Sequence, residues 1–338
     1  MSAKTHSFFT LTPDKILDSV ESLGVKSTGR CLQLNSMENR VYEVELDLTS
    51  EEEAKITSQY DRSRVIKFYR PGRWSRDQIQ AEHDFLWELK EGDIPVVAPL
   101  RNELGESLFH IAEDDLWFTV FPKVGGRINY ESSDDQLGML GRALARLHSI
   151  GATKTAPSRI VLNHESYGHQ NVTFLTQNQF LPLDLASRYQ KAAEGICEIA
   201  AKLFEQVDFQ RIHGDCHLGN VLWGSEGPFW VDFDDMVMGP PVQDIWLMVA
   251  SQDDEGKRQR EVFLKAYEEM GHFDRHSLKL IEPLRALRYM HYSAWIARRW
   301  EDPYFKKSFP QFNSWSYWME QTSDLELQLN LIKQENKA

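Results

Sequence analysis

Alternating apolar residues give way at Pro122 to helical spacing, and this change of period constrains the fold more than any other feature of the chain. Upstream, RCLQL (Arg30–Leu34) and RVYEVEL (Arg40–Leu46) read as strands joined by NSMEN, and RVIKFYR (Arg64–Arg70) as a third. ESLFHIA and LWFTVFP follow as a hairpin turned at Glu113–Asp115. Two helices accompany them. Thr12 caps the first, with Pro13 at its opening position, Ile16, Leu17, Val20 and Leu23 on one face and Gly24 as its stop. Ser75 and Gln78 form a capping box for the second, whose face carries Ile79, Glu82, Leu86 and Leu89. An acid on that apolar stripe is unusual. The polar stretch DLTSEEEAKITSQYD reads as a flexible link. After PKVGGR (Pro122–Arg127), Leu137, Leu140, Leu144 and Leu147 begin a series of helices, interrupted by one short hairpin whose second arm is GPFWVDFDD. Strands first and helices afterwards define the α+β class. The step at Val124–Gly126 suggests a β-rich lobe over residues 1–121 and a mainly helical lobe over 122–338.

Hydrophobic residues at 41% and charged residues at 26% place the chain among folded globular proteins. A formal net charge of −13 predicts no nucleic-acid partner and no attraction to an anionic membrane. No apolar run reaches membrane-spanning length, and MSAKTHSFFTLTPDK lacks a signal-type apolar core, so the expected compartment is the cytoplasm. Cys31, Cys197 and Cys216 are widely spaced, form no CxxC, and read as reduced thiols.

The chemistry concentrates in RIHGDCHLGNVLW (Arg211–Trp223). A zinc site through His213, Cys216 and His217 and a polar turn without chemistry are two readings; neither accounts for Asn220 and Asp232 together. In the third, the tight hairpin brings Asn220 and Asp232 to neighbouring positions. Their hard oxygens suit Mg²⁺, which draws its other ligands from phosphates and water. Asp215 then stands free to accept a proton from an attacking hydroxyl.

HxDxxxxN followed by an aspartate near a strand end is the signature of the protein-kinase-like superfamily, here His213, Asp215, Asn220 and Asp232. The HGDxHxxN form is that of aminoglycoside phosphotransferases and choline kinases. Together with NSMENRVYEV, VIKFYRPGRWS, EHDFL, FPKVGGR and VDFDD, in that order, the chain resembles the bacterial stress response kinase A family, the YihE-like Ser/Thr protein kinases, over nearly its whole length. The resemblance implies a bilobal protein-kinase-like fold with ATP and Mg²⁺ as cofactors. It makes Asp215 the catalytic base, Asn220 and Asp232 the metal ligands, and Lys67 the contact to the α/β-phosphates with Glu82 as its helix partner. It gives Ser36 a nucleotide contact and the backbone of Phe121–Val124 the adenine.

Two departures from the wider kinase pattern stand out. The LNSMENRV turn has no glycine, so backbone N–H groups and Ser36 must serve the phosphates. The residue after Asp232 and Phe233 is Asp234, where kinases carry glycine. Asp234 and Asp235 read either as part of the metal field or as solvated strand ends. Taken singly, Lys67 would be a snorkelling strand residue, Glu82 a solvated helix position and Ser36 a turn former. His213 reads as a loop-orienting group, His217 as a phosphate contact or a partner of a backbone carbonyl, and Asp244 either as the acceptor for the catalytic loop that the kinase-like resemblance implies or as a plain helix N-terminal acid. Tyr292 and Trp295 suggest either core or a cage for a quaternary ammonium. The expectation is a monomeric kinase acting on Ser/Thr hydroxyls of proteins. A small-molecule kinase for choline, an aminosugar or an amino alcohol is the second reading, and a non-catalytic pseudokinase scaffold the third.

Overall fold

A computed structural model describes Phe8 and residues 11–336. The chain divides into two units, one formed by residues 1–136 with 217–235, the other by residues 137–216 with 236–338.

The first unit is built on an antiparallel sheet. Helix α1 (Pro13–Glu21) precedes β1 (Ser27–Leu34) and β2 (Arg40–Leu46), and the Thr12 side chain accepts the Lys15 N–H at 3.3 Å as the cap. A short α2 (Ser50–Glu53) and a 3₁₀ turn at Gln59–Arg62 lead to β3 (Ser63–Phe68). After α3 (Arg76–Glu91) come β4 (Phe109–Ile111) and β5 (Leu116–Pro122). The sheet order is β1-β2-β3-β5-β4, which puts β3 at its centre. Ile16, Val20, Val44, Ile66, Phe68, Phe118 and Val120 pack with Phe8 into one apolar cluster. The link expected to be flexible is ordered by two capping boxes, Thr49 with Glu52 and Ser58 with Asp61.

A hairpin of Val221–Gly224 and Gly227–Trp230 belongs to this unit, with Arg127–Ile128 added at its edge. Its second arm is shorter than the sequence suggests. The strand ends at Trp230, and Asp232 adopts a φ of 63°, left-handed backbone that no strand continues through. Residues Phe233–Asp235 then form a 3₁₀ turn.

The second unit is mainly helical. Helices Leu183–Phe204, Ile281–Arg298 and Trp315–Glu335 pack on one another, and the unit also holds a two-stranded sheet of Gln210–Ile212 and Val237–Gly239. The helix Asp134–Gly151 lies against Asp254–Glu268, and Gly141 sets their approach: a Cβ there would fall 2.4 Å from the Phe263 carbonyl oxygen. Among the described residues no helix is long and apolar enough to cross a membrane.

Gly141→Ala should therefore destabilise the protein although alanine is the better helix former. Gly138→Ala, whose Cβ would meet nothing closer than 3.5 Å, should be neutral or stabilising by up to about 1 kcal/mol. Thermal melts of the two variants would show shifts of opposite sign.

Candidate active site

Strand β3 at the centre of the first unit carries Lys67, opposite Val41 on one side and Thr119 on the other. Its side chain is 8% exposed, so it is neither an edge residue nor solvated. Glu82, from the inward face of α3, is buried and stands 3.5 Å from the Lys67 Nζ. Asp232 Oδ1 lies 3.8 Å away. A third acid, Asp234, makes the tightest pair with the ammonium.

These charges hold one another in place. Burial opposes the Lys67 cation, but Asp234 and then Glu82 overcome it and raise its pKa well above the ordinary lysine range. Burial likewise opposes the Asp234 carboxylate, yet Lys67, Arg73 and a hydrogen bond from the Asn39 amide hold it down to about 2. Asp234 is thus neither a solvated strand end nor an open metal ligand. It is an internal counter-ion. Asp232 is the opposite case. Crowding by the surrounding protein pushes its carboxyl upward and Asp234 repels it in the same sense, although the side chain is 58% exposed and solvent blunts both effects.

Phe233 anchors the segment between these two acids, its ring buried and edge-on to Phe85 of α3 at 6.0 Å. The hairpin sets Asn220 beside it: the Asn220 carbonyl accepts the Val231 N–H at 3.0 Å. A carboxamide and an open carboxylate are hard oxygen donors, and among the described residues the cation recorded beside Asp232, Lys67, stands 3.8 Å away. The residues fit Mg²⁺ arriving with phosphates and water. Among the described residues no group of three or more His, Cys, Asp or Glu side chains is arranged to hold a metal.

Ser36 lies in the turn between β1 and β2, where its Oγ accepts the Asn39 N–H at 3.3 Å. Phe121 sits opposite Val65, and Lys67 Nζ is 6.0 Å from its ring centre. Val124 lies between β5 and the Arg127–Ile128 strand. His217 caps the short turn Leu218–Asn220, its Nδ1 accepting the Gly219 N–H at 3.0 Å. It therefore accepts a backbone N–H through Nδ1.

In the second unit, Asp215 follows a turn that depends on Gly214 at a φ of 84°. The wholly buried Asp244 clamps this turn: its oxygens accept the His213 and Gly214 N–H groups, each at 2.9 Å, and His148 Nε2 stands 3.0 Å away. Gln243 donates to the Gly214 carbonyl at 3.1 Å. His213 Nδ1 accepts the Asp215 N–H at 3.3 Å, the loop-orienting role expected of it. Arg288 reaches the Asp215 Oδ1 at 2.8 Å, a contact with no signal in the sequence beyond one basic residue on an aromatic-rich helix. Tyr292 and Trp295 stack nearly parallel at 5.7 Å, and the Arg299 guanidinium already lies over Trp295 at 4.9 Å. No open aromatic cage results from this pair.

The chain belongs to the phosphotransferase enzyme family, whose model matches residues 32–281, and it is an enzyme of that kinase-like class. It is 37% identical to stress response kinase A of Escherichia coli K12 over 336 residues, 99% of this chain and 97% of that protein. Identity is also 37% to serine/threonine protein kinase RdoA of Salmonella typhimurium over 326 residues, 96% and 94% of the two chains. Amicoumacin kinase, solved with AMP-PNP and Ca²⁺, shares the fold at a TM-score of 0.71 and 18% identity, over 93% of this chain and 95% of that one. A microcompartment-associated aminopropanol kinase does so at 0.65 and 18%, over 93% and 99%. The kinase-like α+β fold and the family resemblance are both borne out.

Two predictions follow from the buried charges. Lys67→Met leaves Glu82 and Asp234 without their shared cation and should cost about 3–5 kcal/mol in urea unfolding, clearly more than Glu82→Gln, which leaves the Asp234 pair intact. His83, bonded to Tyr69 Oη at 2.8 Å and Ser107 Oγ at 2.9 Å, is pushed down to about 3 by burial and then by Lys67. The unfolded chain binds a proton there near pH 6.5 and the folded chain does not. Its contribution to stability is therefore full above that pH and declines as pH falls toward 3. The stability gap between wild type and His83→Gln should shrink by about 2 kcal/mol from pH 7 to pH 5.

Proposed function

We propose that the protein transfers the γ-phosphoryl group of ATP, with Mg²⁺, to Ser or Thr hydroxyls of protein substrates, as a stress-response kinase acting as a cytoplasmic monomer. The observation that carries phosphoryl transfer is the gathering of Lys67, Glu82 and Asp232 in the first unit, with the lysine kept cationic by its acids. A pseudokinase scaffold has no need of that arrangement. The protein acceptor rests on the full-length relatives named as stress response and serine/threonine protein kinases.

In this reading Lys67 pairs the α/β-phosphates and Glu82 holds it there. The turn bearing Ser36 covers the phosphates, and the backbone of Phe121–Val124 takes the adenine, so residues 1–121 serve as the nucleotide-binding part and residues 122–338 as the part for catalysis and acceptor. Asn220 and Asp232 would hold the Mg²⁺, which would supply positive charge against the phosphates. Asp215 accepts the proton from the attacking hydroxyl as that oxygen bonds to the γ-phosphorus. The bond from phosphorus to the ADP oxygen breaks, and its electron pair leaves with ADP. Asp244 keeps Asp215 in place through the loop backbone. Arg288 sets a positive charge against Asp215, so a cationic amino alcohol or aminosugar would bring a second one to the same carboxylate. The −13 net charge leaves no part for nucleic acid or an anionic membrane as partner.

Purified protein given labelled ATP and Mg²⁺, with a generic protein substrate, choline and aminoglycosides side by side, should label the protein substrate alone. Asp215→Asn should lower that labelling by about 10²-fold or more. Label only on a small molecule would favour the second reading, and equal labelling by the variant would remove Asp215 as the base.

A further inference from the structure

The RPGR stretch after β3 has no part in the roles assigned so far, yet both of its arginines are buried, with side chains 8% and 9% exposed. A guanidinium taken that far from water must be paired on several sides. Arg70 binds the Glu38 carboxylate at 2.9 Å and the Glu38 carbonyl at 3.0 Å, and its own N–H donates to Asn39 Oδ1 at 3.2 Å. Arg73 reaches further. Its guanidinium lies 3.5 Å from Glu38 Oε2, 3.3 Å from Asp234 Oδ2 and 2.5 Å from Asp235 Oδ1. The Asn39 amide also donates to Asp234. Glu38 and Asn39 end the turn that carries Ser36, and Asp234 and Asp235 follow Asp232. Arg73 thus joins the turn expected over the phosphates to the segment expected at the metal, within one unit of the fold.

We propose that Arg73 is a positioning residue for the nucleotide phosphates, latching the glycine-free turn at residues 35–39 to the Asp232 segment through Glu38, Asp234 and Asp235. The inference rests on the phosphotransfer reading above and deepens it. A glycine-rich loop must be ordered when phosphate binds, and that ordering weakens binding. A turn already fixed by buried ion pairs has met the cost during folding. The latch also gives Asp234 a purpose in the place of glycine: a glycine there would leave Arg73 and Lys67 each short of a counter-ion. A bridge among three carboxylates requires the planar fork of arginine, so lysine should replace it poorly.

Calorimetric titration of the full chain with MgATP and, separately, with adenosine tests this. Arg73→Met should weaken MgATP by about tenfold or more and leave adenosine within about twofold, because the latch acts on the phosphate end only. Arg73→Lys should recover only part of the loss. Asp235→Asn, at the more exposed end of the latch, should weaken MgATP by less, and combined with Arg73→Met should add nothing further. Equal losses for adenosine and MgATP would mean that Arg73 merely supports the fold, and full recovery by lysine would mean that charge alone matters. Either result overturns the proposal, as does unchanged MgATP affinity in Arg73→Met. Should Arg73→Met fail to fold, Arg73→Lys and Asp235→Asn decide: wild-type MgATP affinity in both is also fatal. A wild-type protein that binds adenosine and MgATP not at all would instead refute the phosphotransfer reading, and the latch with it.

Discussion

An ammonium group removed from water keeps its proton only if carboxylates surround it, and Lys67 on the central strand of the first unit imposes that condition on its neighbours. Glu82 must then lie on the inward face of α3, where an apolar residue would otherwise serve packing. One acid at 3.5 Å is not the main support; Asp234 is, and it is buried too. A second buried acid needs further cation, and Arg73 supplies it while recruiting Glu38 and Asp235 in turn. Each charge makes the next necessary. The result is three cations, Lys67, Arg70 and Arg73, facing five carboxylates, Glu38, Glu82, Asp232, Asp234 and Asp235. That negative excess would repel a bare polyphosphate, so on the proposed reading the divalent cation completes the charge balance as well as polarising the γ-phosphate.

The second unit solves a related problem with backbone donors. The turn before Asp215 presents two buried N–H groups, from His213 and Gly214, that no strand partner satisfies. Asp244 accepts both, one on each oxygen, while His148 braces it from behind and is itself bonded to Tyr267 at 2.9 Å. The Asp215 backbone is thus fixed through Asp244, while its carboxylate meets Arg288 and, in the proposed reaction, a hydroxyl.

How much of this could be read from the chain follows the range of the interactions. The α+β division and the strands β1 to β5 were legible because each is a local period with local caps. The Lys67–Glu82 pairing is legible only through the family resemblance, since each residue taken singly reads as a snorkelling or solvated position. Asp234 was not legible, because a run of acids at a strand end looks the same whether it is solvated or buried. What decides its state are Lys67 and Arg73, 167 and 161 residues earlier in the chain. The end of the second hairpin arm is hidden for a different reason: apolar residues run on through Phe233, whereas the strand stops at Trp230 and Asp232 takes a φ of 63°. The ordered link after β2 was readable in principle, since Thr49–Glu52 and Ser58–Asp61 are both capping pairs hidden within a polar stretch.

The choice of acceptor turns on charge. Kinases for amines must meet a cation, by acids or by aromatic faces. Here the aromatic pair with the right spacing, Tyr292 and Trp295, is closed by its own stacking, and the face of Trp295 is covered by Arg299. The candidate base itself is already paired with a positive charge, Arg288. On the proposed reading, these two arginines of one helical region weigh against a choline-type acceptor. A Ser or Thr side chain brings no charge with its hydroxyl and loses nothing by this arrangement.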